Sequence, residues 1–428
     1  MNKIKSWGNF PKVKNQKISV YHDNFSFSNT KYLAKGLGRS YGDVGLNENA
    51  TLVSTESLNK IISFDKETGI LDCQSGLSFE EILNTIIPEG WFLPVVPGTR
   101  NITIGGAIAN DIHGKNHHKD GTFGNYIKSI KLLRSDGEIL DCDENKNSDY
   151  FNSTIAGLGL TGIIISAEIK LKKIKSAYID VKTFKFNSLD EYWEINSQCE
   201  KIYDYTVSWV DCLYSKKNSL RGIYIAGNHS KNLEDNKTKR EIKLKFPFTP
   251  PFSFVNNMSM RVLNFLYYSL NKRSNESIQY YKNFFFPLDV IQNWNKAYGK
   301  NGFFQYQFVI PKENAPKALK NILEILQRNN QVPALGVLKN FGKMESPGLL
   351  SFPLEGVTLA LDFPNKGKKT KTLFDELNKV VISNHGRLYP AKDALMQKKE
   401  FQQGYPKIEQ FKKFIDPKFS SSFWRRVN

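Results

Sequence analysis

Short apolar runs separated by turn residues are the main pattern in the first 172 residues. Residues 61–64 and 70–73 flank a Lys-Glu-Thr-Gly turn, and residues 127–133 and 138–142 flank a Ser-Asp-Gly turn. Runs of this length on either side of a glycine-containing turn predict β-hairpins. This part of the chain is therefore expected to be rich in short strands.

Two further elements are predicted in the same part of the chain. Ser78 followed by Glu81 is the pattern of a capping box, which predicts a helix from there to about Ile87. The apolar run at residues 161–171 predicts a long strand. We expect this strand to close the first unit.

The pattern changes near residue 172. Strand-like runs at 205–210, 304–310 and 357–361 now alternate with amphipathic segments, of which 315–328 is the clearest helix. Strands and helices in this arrangement predict an α+β unit around an antiparallel sheet. The domains are expected at 1–174, 175–386 and 387–428, the last segment returning to the first domain.

Length and composition fit a protein of more than one domain. The 428 residues are 40% hydrophobic and 13% aromatic, which is enough for well-packed cores. We expect no signal peptide and no transmembrane helix, because long uncharged apolar windows are missing. The four cysteines are scattered, which favours a reducing cytoplasm over a disulfide framework. We expect a cytoplasmic protein, with the inner face of the cell membrane as a peripheral location.

The net charge of +18 limits the classes of binding partner that the protein is expected to have. Basic chains meet nucleic acids, anionic membranes or phosphorylated substrates, and a solvated lysine-rich surface is the alternative. The sequence has no zinc finger or RNA-binding aromatic motif, so no nucleic-acid partner is expected. A phosphate-bearing or membrane-borne substrate is the favoured interpretation.

Two glycine-rich stretches carry the candidate chemistry. Residues 36–43 read Gly-Leu-Gly-Arg-Ser-Tyr-Gly-Asp, and residues 97–118 are dense in glycine, threonine and asparagine. Glycine lets successive main-chain N–H groups converge on an anion, although a plain tight turn would use the same residues. The first stretch is not the GxGxxG dinucleotide fingerprint, because no βαβ unit follows it. His113, His117 and His118 lack the Cys or carboxylate spacing of a metal site, so no metal is expected.

These stretches, in order with Gly-Thr-Phe-Gly-Asn at 121–125, Gly-Leu-Thr-Gly-Ile at 159–163 and Tyr-Pro-Ala-Lys-Asp at 389–393, resemble a known family. The sequence is similar to the FAD-binding oxidases of the vanillyl-alcohol oxidase type, and within them to the decaprenylphosphoryl-β-D-ribose 2′-oxidases. The resemblance covers nearly the whole chain. It implies a two-part PCMH-type FAD-binding domain and an α+β substrate (cap) domain with an antiparallel sheet.

The resemblance also implies a set of cofactor-binding residues. Those expected to cradle the pyrophosphate of FAD are Gly38, Arg39, Ser40, Tyr41, Gly42 and Asp43. Those expected to line the flavin are Gly98, Thr103, Gly105, Gly106, Asn110, His113, Ile163 and Tyr389. Many relatives attach flavin through a histidine where this chain has Arg39, so the FAD is expected to be non-covalent.

Oxidation of a secondary alcohol by flavin needs a group that accepts the hydroxyl proton and positive charge near the flavin. Lys392 is the first candidate for the catalytic group, and Lys115 is expected to bind the substrate phosphate or polarise its sugar. Gln307 and Lys339 lie on segments that the family uses for substrate binding. Solvent-exposed lysines and structural polar residues are the alternatives. The family has a cysteine near the flavin where this chain has Ala360, so a thiol there is not expected to be required.

The implied reaction is oxidation of the C2′ hydroxyl of a polyprenyl-phosphate-linked pentose to a keto-sugar. This is the first half of an epimerisation in cell-envelope arabinan synthesis, and a separate NAD-dependent short-chain reductase would complete it. The alternatives are a soluble FAD-dependent aldonolactone or alditol oxidase, and a catalytically silent flavin-binding protein of a polysaccharide pathway.

The segment from residue 237 to 270 bears on the membrane. Basic residues at 237–245 are followed by phenylalanines at 246–254 and an apolar run at 262–270. A basic run beside aromatic side chains is typical of proteins that dock on an anionic membrane surface. Packing of these aromatics into a core is the alternative.

Overall fold

A computed structural model describes residues 2–20, 25–214, 220–231, 243–329, 331 and 333–428. In the first part of the chain the strands are β1 (Asn2–Lys5), β2 (Lys12–Ser19), β3 (Tyr32–Lys35), β4 (Thr51–Ser54), β5 (Ile61–Asp65), β6 (Ile70–Gln74), β7 (Trp91–Phe92), β8 (Ile127–Leu133), β9 (Ile139–Asp143), β10 (Ile163–Lys170) and β11 (Lys172–Lys173). The helices here are α1 (Phe79–Ile86), α2 (Ile104–Ala109), α3 (His117–Asp120) and α4 (Ser148–Thr154), with short 3₁₀ turns at Ile87–Glu89 and Phe123–Tyr126.

These strands form two main sheets. The first has the order β1-β2-β4-β3, with β4 parallel to both of its neighbours. The second is antiparallel, in the order β5-β6-β10-β8-β9, and it contains both hairpins predicted from the turn residues. The capping box that opens α1 is confirmed, because Ser78 and Glu81 each bond the other's main-chain N–H.

The second part of the chain has its own set of elements. The strands are β12 (Tyr178–Phe186), β13 (Tyr205–Asp211), β14 (Arg221–His229), β15 (Leu244–Lys245), β16 (Ser274–Tyr280), β17 (Ile291–Gln292), β18 (Phe303–Pro311), β19 (Gly336–Phe341), β20 (Gly356–Pro364) and β21 (Arg387–Leu388). The helices are α5 (Leu189–Ile202), α6 (Asn257–Leu270), α7 (Tyr281–Phe285), α8 (Ala315–Asn329), α9 (Lys368–Ser383), α10 (Lys398–Gly404), α11 (Ile408–Lys412) and α12 (Ser422–Val427), with 3₁₀ turns at Pro287–Val290 and Trp294–Tyr298.

One large antiparallel sheet dominates this second part, in the order β16-β12-β14-β13-β19-β20-β18-β21. Helix α8 has the predicted apolar face, and its Leu319, Ile322 and Leu326 are buried in a cluster with strand residues such as Phe308. The sheet and the helices packed on it confirm the α+β class with an antiparallel sheet. The domain boundaries at 174 and 386 stay a prediction.

Helix α6 has an unusual distribution of side chains. Its N-terminus is capped by Asn256, and the residue it buries against the protein is polar, Asn264. The large apolar side chains of the helix are mostly exposed. Within the described part of the chain, no helix is both long and apolar enough to span a bilayer.

Candidate active site

His113 occupies the centre of a buried polar group. It follows α2, and its Nδ1 lies 3.0 Å from Lys339 Nζ while its Nε2 lies 3.0 Å from the side-chain nitrogen of Gln307. Burial and the positive charge of Lys339 hold the pKa of His113 well below its usual range. The ring is therefore neutral, which suits it to hydrogen bonding and packing rather than to holding a second proton.

Aromatic rings enclose this histidine. His113 packs against Phe341, Phe352 and Tyr389, with ring centroids 4.8–5.9 Å apart, and Tyr389 stacks on Phe352 at 4.4 Å. The Tyr389 hydroxyl donates a hydrogen bond to the carbonyl oxygen of Asn110, 3.1 Å away. Strands β18, β19 and the segment after β21 thus converge on the end of α2 in a low-dielectric environment.

Three partly buried lysines surround the same region. Lys339 donates to the carbonyl oxygen of Gly114 as well as facing His113. Burial, with the neighbouring charges of Lys115 and Lys392, lowers the pKa of Lys339 to about 7. Burial lowers the pKa of Lys115 to about 8, and its Nζ donates to the carbonyl oxygen of Phe285. Cations crowded in this way are poised to receive an anion.

Lys392 is held by a second set of contacts. Its Nζ lies 3.9 Å from the centre of the Tyr41 ring. Burial lowers the pKa of Lys392, and the nearby carboxylate of Asp362 opposes that shift. Burial in turn raises the pKa of Asp362, which accepts a hydrogen bond from the side chain of Gln305. Asp362 and Gln305 were not singled out from the sequence, because β18 and β20 bring them to the site only through sheet pairing.

The loop expected to hold the pyrophosphate has the features of an anion cradle. Gly38 adopts a left-handed φ of 65°, and the main-chain N–H groups of Gly38, Arg39 and Ser40 donate to no acceptor in the described part of the chain. Tyr41 N donates to Ala391 O at 2.9 Å, which fixes the loop against the segment that carries Lys392. A Cβ on Gly42 would lie 1.5 Å from Asp393 O, so this contact needs glycine.

The second glycine stretch begins helix α2. The Thr103 hydroxyl accepts a hydrogen bond from Gly106 N, and a Cβ on Gly105 would lie 3.1 Å from Ser75. Gly98 has open space around it. At the end of α2, Asn110 donates to Gly106 O, while its buried Oδ1 has no partner in the described part of the chain. The open space at Gly98 and an acceptor without a partner among the described residues suit a bound polar ring system.

The side chains of two expected cofactor residues, Ile163 and Asp43, do not contact the buried polar group around His113. Ile163 lies in β10 and is fully buried in an apolar cluster with Leu133 and Phe419. Asp43 is buried and forms an ion pair with Arg426, whose guanidinium also binds Asp393. Asp43 therefore anchors the glycine loop to the end of the described chain. Sequence reasoning missed Arg426, which lies 383 residues away.

Arg39 also takes part in a local network. Its guanidinium lies 4.2 Å from the centre of the Trp7 ring, and its Nε donates to Asn101 O. This places Arg39 between the two glycine stretches. Ala360, the residue at the family's cysteine position, pairs with Gln307 across β18 and β20.

Comparisons with known proteins decide the family. The FAD binding domain family matches residues 24–143. The chain is 35% identical over 411 residues to decaprenylphosphoryl-β-D-ribose oxidase of Mycolicibacterium smegmatis, which covers 92% of this chain and 88% of that protein. The chain belongs to the decaprenylphosphoryl-β-D-ribose oxidase family. It is an FAD-dependent oxidoreductase with a PCMH-type FAD-binding fold.

Two other relatives differ in how much of their sequence aligns with this chain. An uncharacterised protein of Streptomyces coelicolor is 25% identical over 82% of this chain and all of its own length. The L-gulonolactone oxidase of Mus musculus is 23% identical over 33% of this chain and 32% of its own length. The second match is confined to a third of each protein.

The residues present fit FAD. The N–H groups of Gly38, Arg39 and Ser40, which have no acceptor among the described residues, suit its pyrophosphate. The Oδ1 of Asn110, which likewise has no described partner, suits a donor on the flavin ring. The positive charge of Lys339, and that of Lys392 once it has taken up a proton, suit a cofactor that becomes anionic on reduction. The other glycines and Tyr389 of the expected set stand around the same loops, and their individual roles stay predictions.

Proposed function

We propose that the protein oxidises the C2′ hydroxyl of a polyprenyl-phosphate-linked pentose to a keto-sugar. The observation that carries this proposal is the group of Lys115, Lys339 and Lys392, three cations with lowered pKa values beside a neutral histidine. Asp362 already faces Lys392, but burying Lys115 and Lys339 near each other costs free energy, and a phosphodiester offsets that cost. A neutral lactone or alditol would not.

Each residue has a role in this proposal. Bound FAD supplies the electron sink that accepts the hydride of the C2′ carbon. Lys392 takes the hydroxyl proton, because burial shifts this amine toward its neutral form. Lys115 and Lys339 hold the phosphate. Gln307 orients the sugar from its position on β18, directly opposite Ala360 on β20.

The relative's name supports the substrate class, since that protein is a decaprenylphosphoryl-β-D-ribose oxidase. A keto-sugar product calls for a second enzyme that reduces it, and a separate NAD-dependent short-chain reductase is the proposed partner. The proposed location is peripheral, on the inner face of the cell membrane. There the basic and aromatic segment at 237–254 would meet anionic lipid.

The test is anaerobic bleaching of the bound flavin. Polyprenyl-phosphoryl-ribose and a short-chain phosphodiester analogue should both reduce the flavin, and free ribose, alditols and aldonolactones should not. Equal reduction by the free sugars would favour the soluble oxidase. No reduction by any of them would point to a catalytically silent protein.

A further inference from the structure

Helix α6 is inverted relative to an ordinary surface helix. Its buried residue is Asn264, whose Nδ2 donates to the buried carboxylate of Asp211 at 2.7 Å. The opposite side carries apolar side chains that are between 47% and 82% exposed: Met258, Val262, Leu263, Phe265, Leu266 and Leu270. A surface helix normally turns such a stripe inward. We call these six residues the outward face.

The inner side of the helix is specifically attached to the protein. Tyr267 packs edge-on against Trp209 at 4.9 Å, and the Tyr268 hydroxyl donates to the side chain of Asn187. Asp211, which receives Asn264, also forms an ion pair with Arg221 at 2.7 Å. These polar contacts fix which side of α6 points outward. The outward face is thus held in place rather than left over from poor packing.

More apolar surface lies beside it in the chain. Phe248, Phe252 and Phe254, in the segment that leads into α6, are also exposed. From residue 243 to residue 275 the chain has no Asp or Glu, although the whole protein has 42. The charges in that stretch are all positive, and those on exposed residues include Lys245, Arg261, Lys272 and Arg273.

The start of α6 contacts an aromatic cluster that also contacts Tyr41 of the candidate site. Val255 and Met260 pack against the cluster of Tyr298 and Phe303, and Tyr41 packs against the same cluster. Tyr41 is the ring over which Lys392 lies. The cluster of Tyr298 and Phe303 is therefore in contact both with the start of α6 and with the ring over which Lys392 lies.

We propose that the outward face of α6 inserts into the acyl layer of an anionic bilayer and brings the candidate site to the membrane surface. Exposed apolar side chains in a stretch whose own charges are all basic match the two attractions that hold interfacial helices on anionic lipid. This inference rests on the proposed function, since a polyprenyl-linked substrate resides in a bilayer. Residues 215–219 or 232–242 of this chain are poorly suited to cover the outward face, because those segments contain only Leu233 and Ile242 as large apolar side chains.

A second copy of the chain is a less suitable occupant. A twofold interface places the same patch on both sides. Arg261, Lys272 and Arg273 would then face like charges, with no carboxylate in the 243–275 stretch to neutralise them. Anionic headgroups provide that neutralisation.

A single labelled cysteine can test the insertion directly. Cys73, Cys142, Cys199 and Cys212 are all buried, so Phe265→Cys offers an accessible thiol for a polarity-sensitive fluorophore in the folded holoenzyme. With phosphatidylglycerol vesicles the emission should shift to the blue and be quenched by spin labels on the acyl chains. The matched control is Ile62→Cys, an exposed position in β5, which should show neither change. An unchanged signal at position 265 would overturn the proposal.

A double variant tests the energetic role of the same face. Phe265→Gln with Leu266→Gln should lower co-sedimentation with phosphatidylglycerol vesicles by about tenfold or more, because burial of each side chain is worth more than a factor of ten. The control pair Ile62→Gln with Ile202→Gln removes two exposed apolar side chains elsewhere and should bind like wild type. Retained yellow colour shows that the variants fold.

The remaining outcomes separate the alternatives. Self-association without lipid that the double variant abolishes would make the face an interface between copies and overturn membrane insertion. Flavin bleaching by the short-chain analogue should be equal in wild type and double variant. If the analogue fails to bleach wild type while the label at position 265 still inserts, the proposed function fails and the docking inference stands.

Discussion

Among the individual residues of the site, Lys339 has the charge that responds most to pH near neutrality. It contacts the neutral ring of His113, and the charges of Lys115 and Lys392 act on it from nearby. Because its pKa is lowered to about 7, it is protonated below neutral pH and loses its charge as the pH rises. Small changes of pH are therefore expected to alter how strongly the site holds an anion.

Binding of a short-chain phosphodiester analogue should weaken as the pH rises through about 7, by up to about tenfold per unit, because one proton is coupled to anion binding. Lys339→Arg should flatten this dependence, since a guanidinium stays protonated. The additional loss above about pH 8 belongs to Lys115 and should persist in the variant. Flavin-fluorescence titrations across this range measure it. A slope that is the same in the variant would exclude Lys339 as its source.

Lys392→Ala should keep FAD and lose flavin reduction by a factor of about 10²–10⁴, the usual contribution of a positioned proton acceptor. The reason is the place of Lys392 between Tyr41 and Asp362. Anaerobic stopped-flow bleaching measures the rate. Lys371→Ala, at an exposed lysine on α9, is the control and should reduce normally. Wild-type bleaching in the Lys392 variant would reject its role as the proton acceptor.

FAD should leave the protein completely on acid denaturation, because Arg39 cannot form the covalent bond that an attachment histidine makes. Its guanidinium is engaged with Trp7 and Asn101 instead. All yellow colour should appear in the supernatant after precipitation. Flavin retained by the pellet would contradict the expectation and call for a search for another attachment residue.

At the element scale, the glycine loop at 36–43 depends on one tight contact. Gly42 approaches Asp393 O so closely that a Cβ would meet the oxygen at 1.5 Å, while Gly98 has open space. The two glycines are both expected to serve the cofactor, yet only the first has a packing reason to be glycine. Substitution by alanine therefore separates packing from cofactor contact.

Gly42→Ala should destabilise the flavin-free protein by about 1–3 kcal/mol, the usual cost of forcing an extra methyl group into a packed site. Gly98→Ala should change that stability by no more than about 0.5 kcal/mol, as surface substitutions do. If Gly98 lies against the flavin, its variant should lose affinity for FAD all the same. Urea unfolding of the flavin-free proteins and FAD titration supply the two measurements. Equal stability of the two variants would contradict the contact at Gly42.

Local sequence signals explain which elements could be predicted. The hairpins of β5–β6 and β8–β9 and the cap of α1 depend on residues a few positions apart, and all of them are confirmed. Asp362 and Arg426 reach their partners through sheet pairing or across 383 residues, which leaves no local pattern. The outward face of α6 was visible only as an apolar run, because its orientation is set by the distant Asp211.

For the whole molecule, the net charge of +18 would attract the protein to an anionic lipid surface. Lys237, Lys239 and Arg240 lie outside the described residues. Lys243 forms an ion pair with Glu80 at 2.7 Å, and Lys245 is exposed. The basic residues of this segment are therefore not equivalent in what they can offer to a membrane.

Replacing Lys237, Lys239, Arg240, Lys243 and Lys245 together by glutamine should reduce co-sedimentation with anionic vesicles. Wild-type binding should weaken with salt, since the Debye length falls from about 10 Å at 0.1 M to about 3 Å at 1 M. Lys243→Gln alone should have little effect, because Glu80 already neutralises that charge. Activity on the short-chain analogue should be unchanged. Co-sedimentation of the fivefold variant at the wild-type level would reject a docking role for these residues.

The two ion pairs of Arg426 have a consequence for the order of events during synthesis of the protein. Asp43 and Asp393 share this one guanidinium, and Asp43 leaves the ribosome 383 residues earlier. At about 5–20 residues per second, its carboxylate waits roughly 20–80 s for its counter-charge. Throughout that time the glycine loop lacks Arg426, and for most of it the segment at 389–393 is missing as well. Flavin loading is therefore expected to follow synthesis of the chain through Arg426, and nascent fragments that stop before Arg426 should emerge colourless.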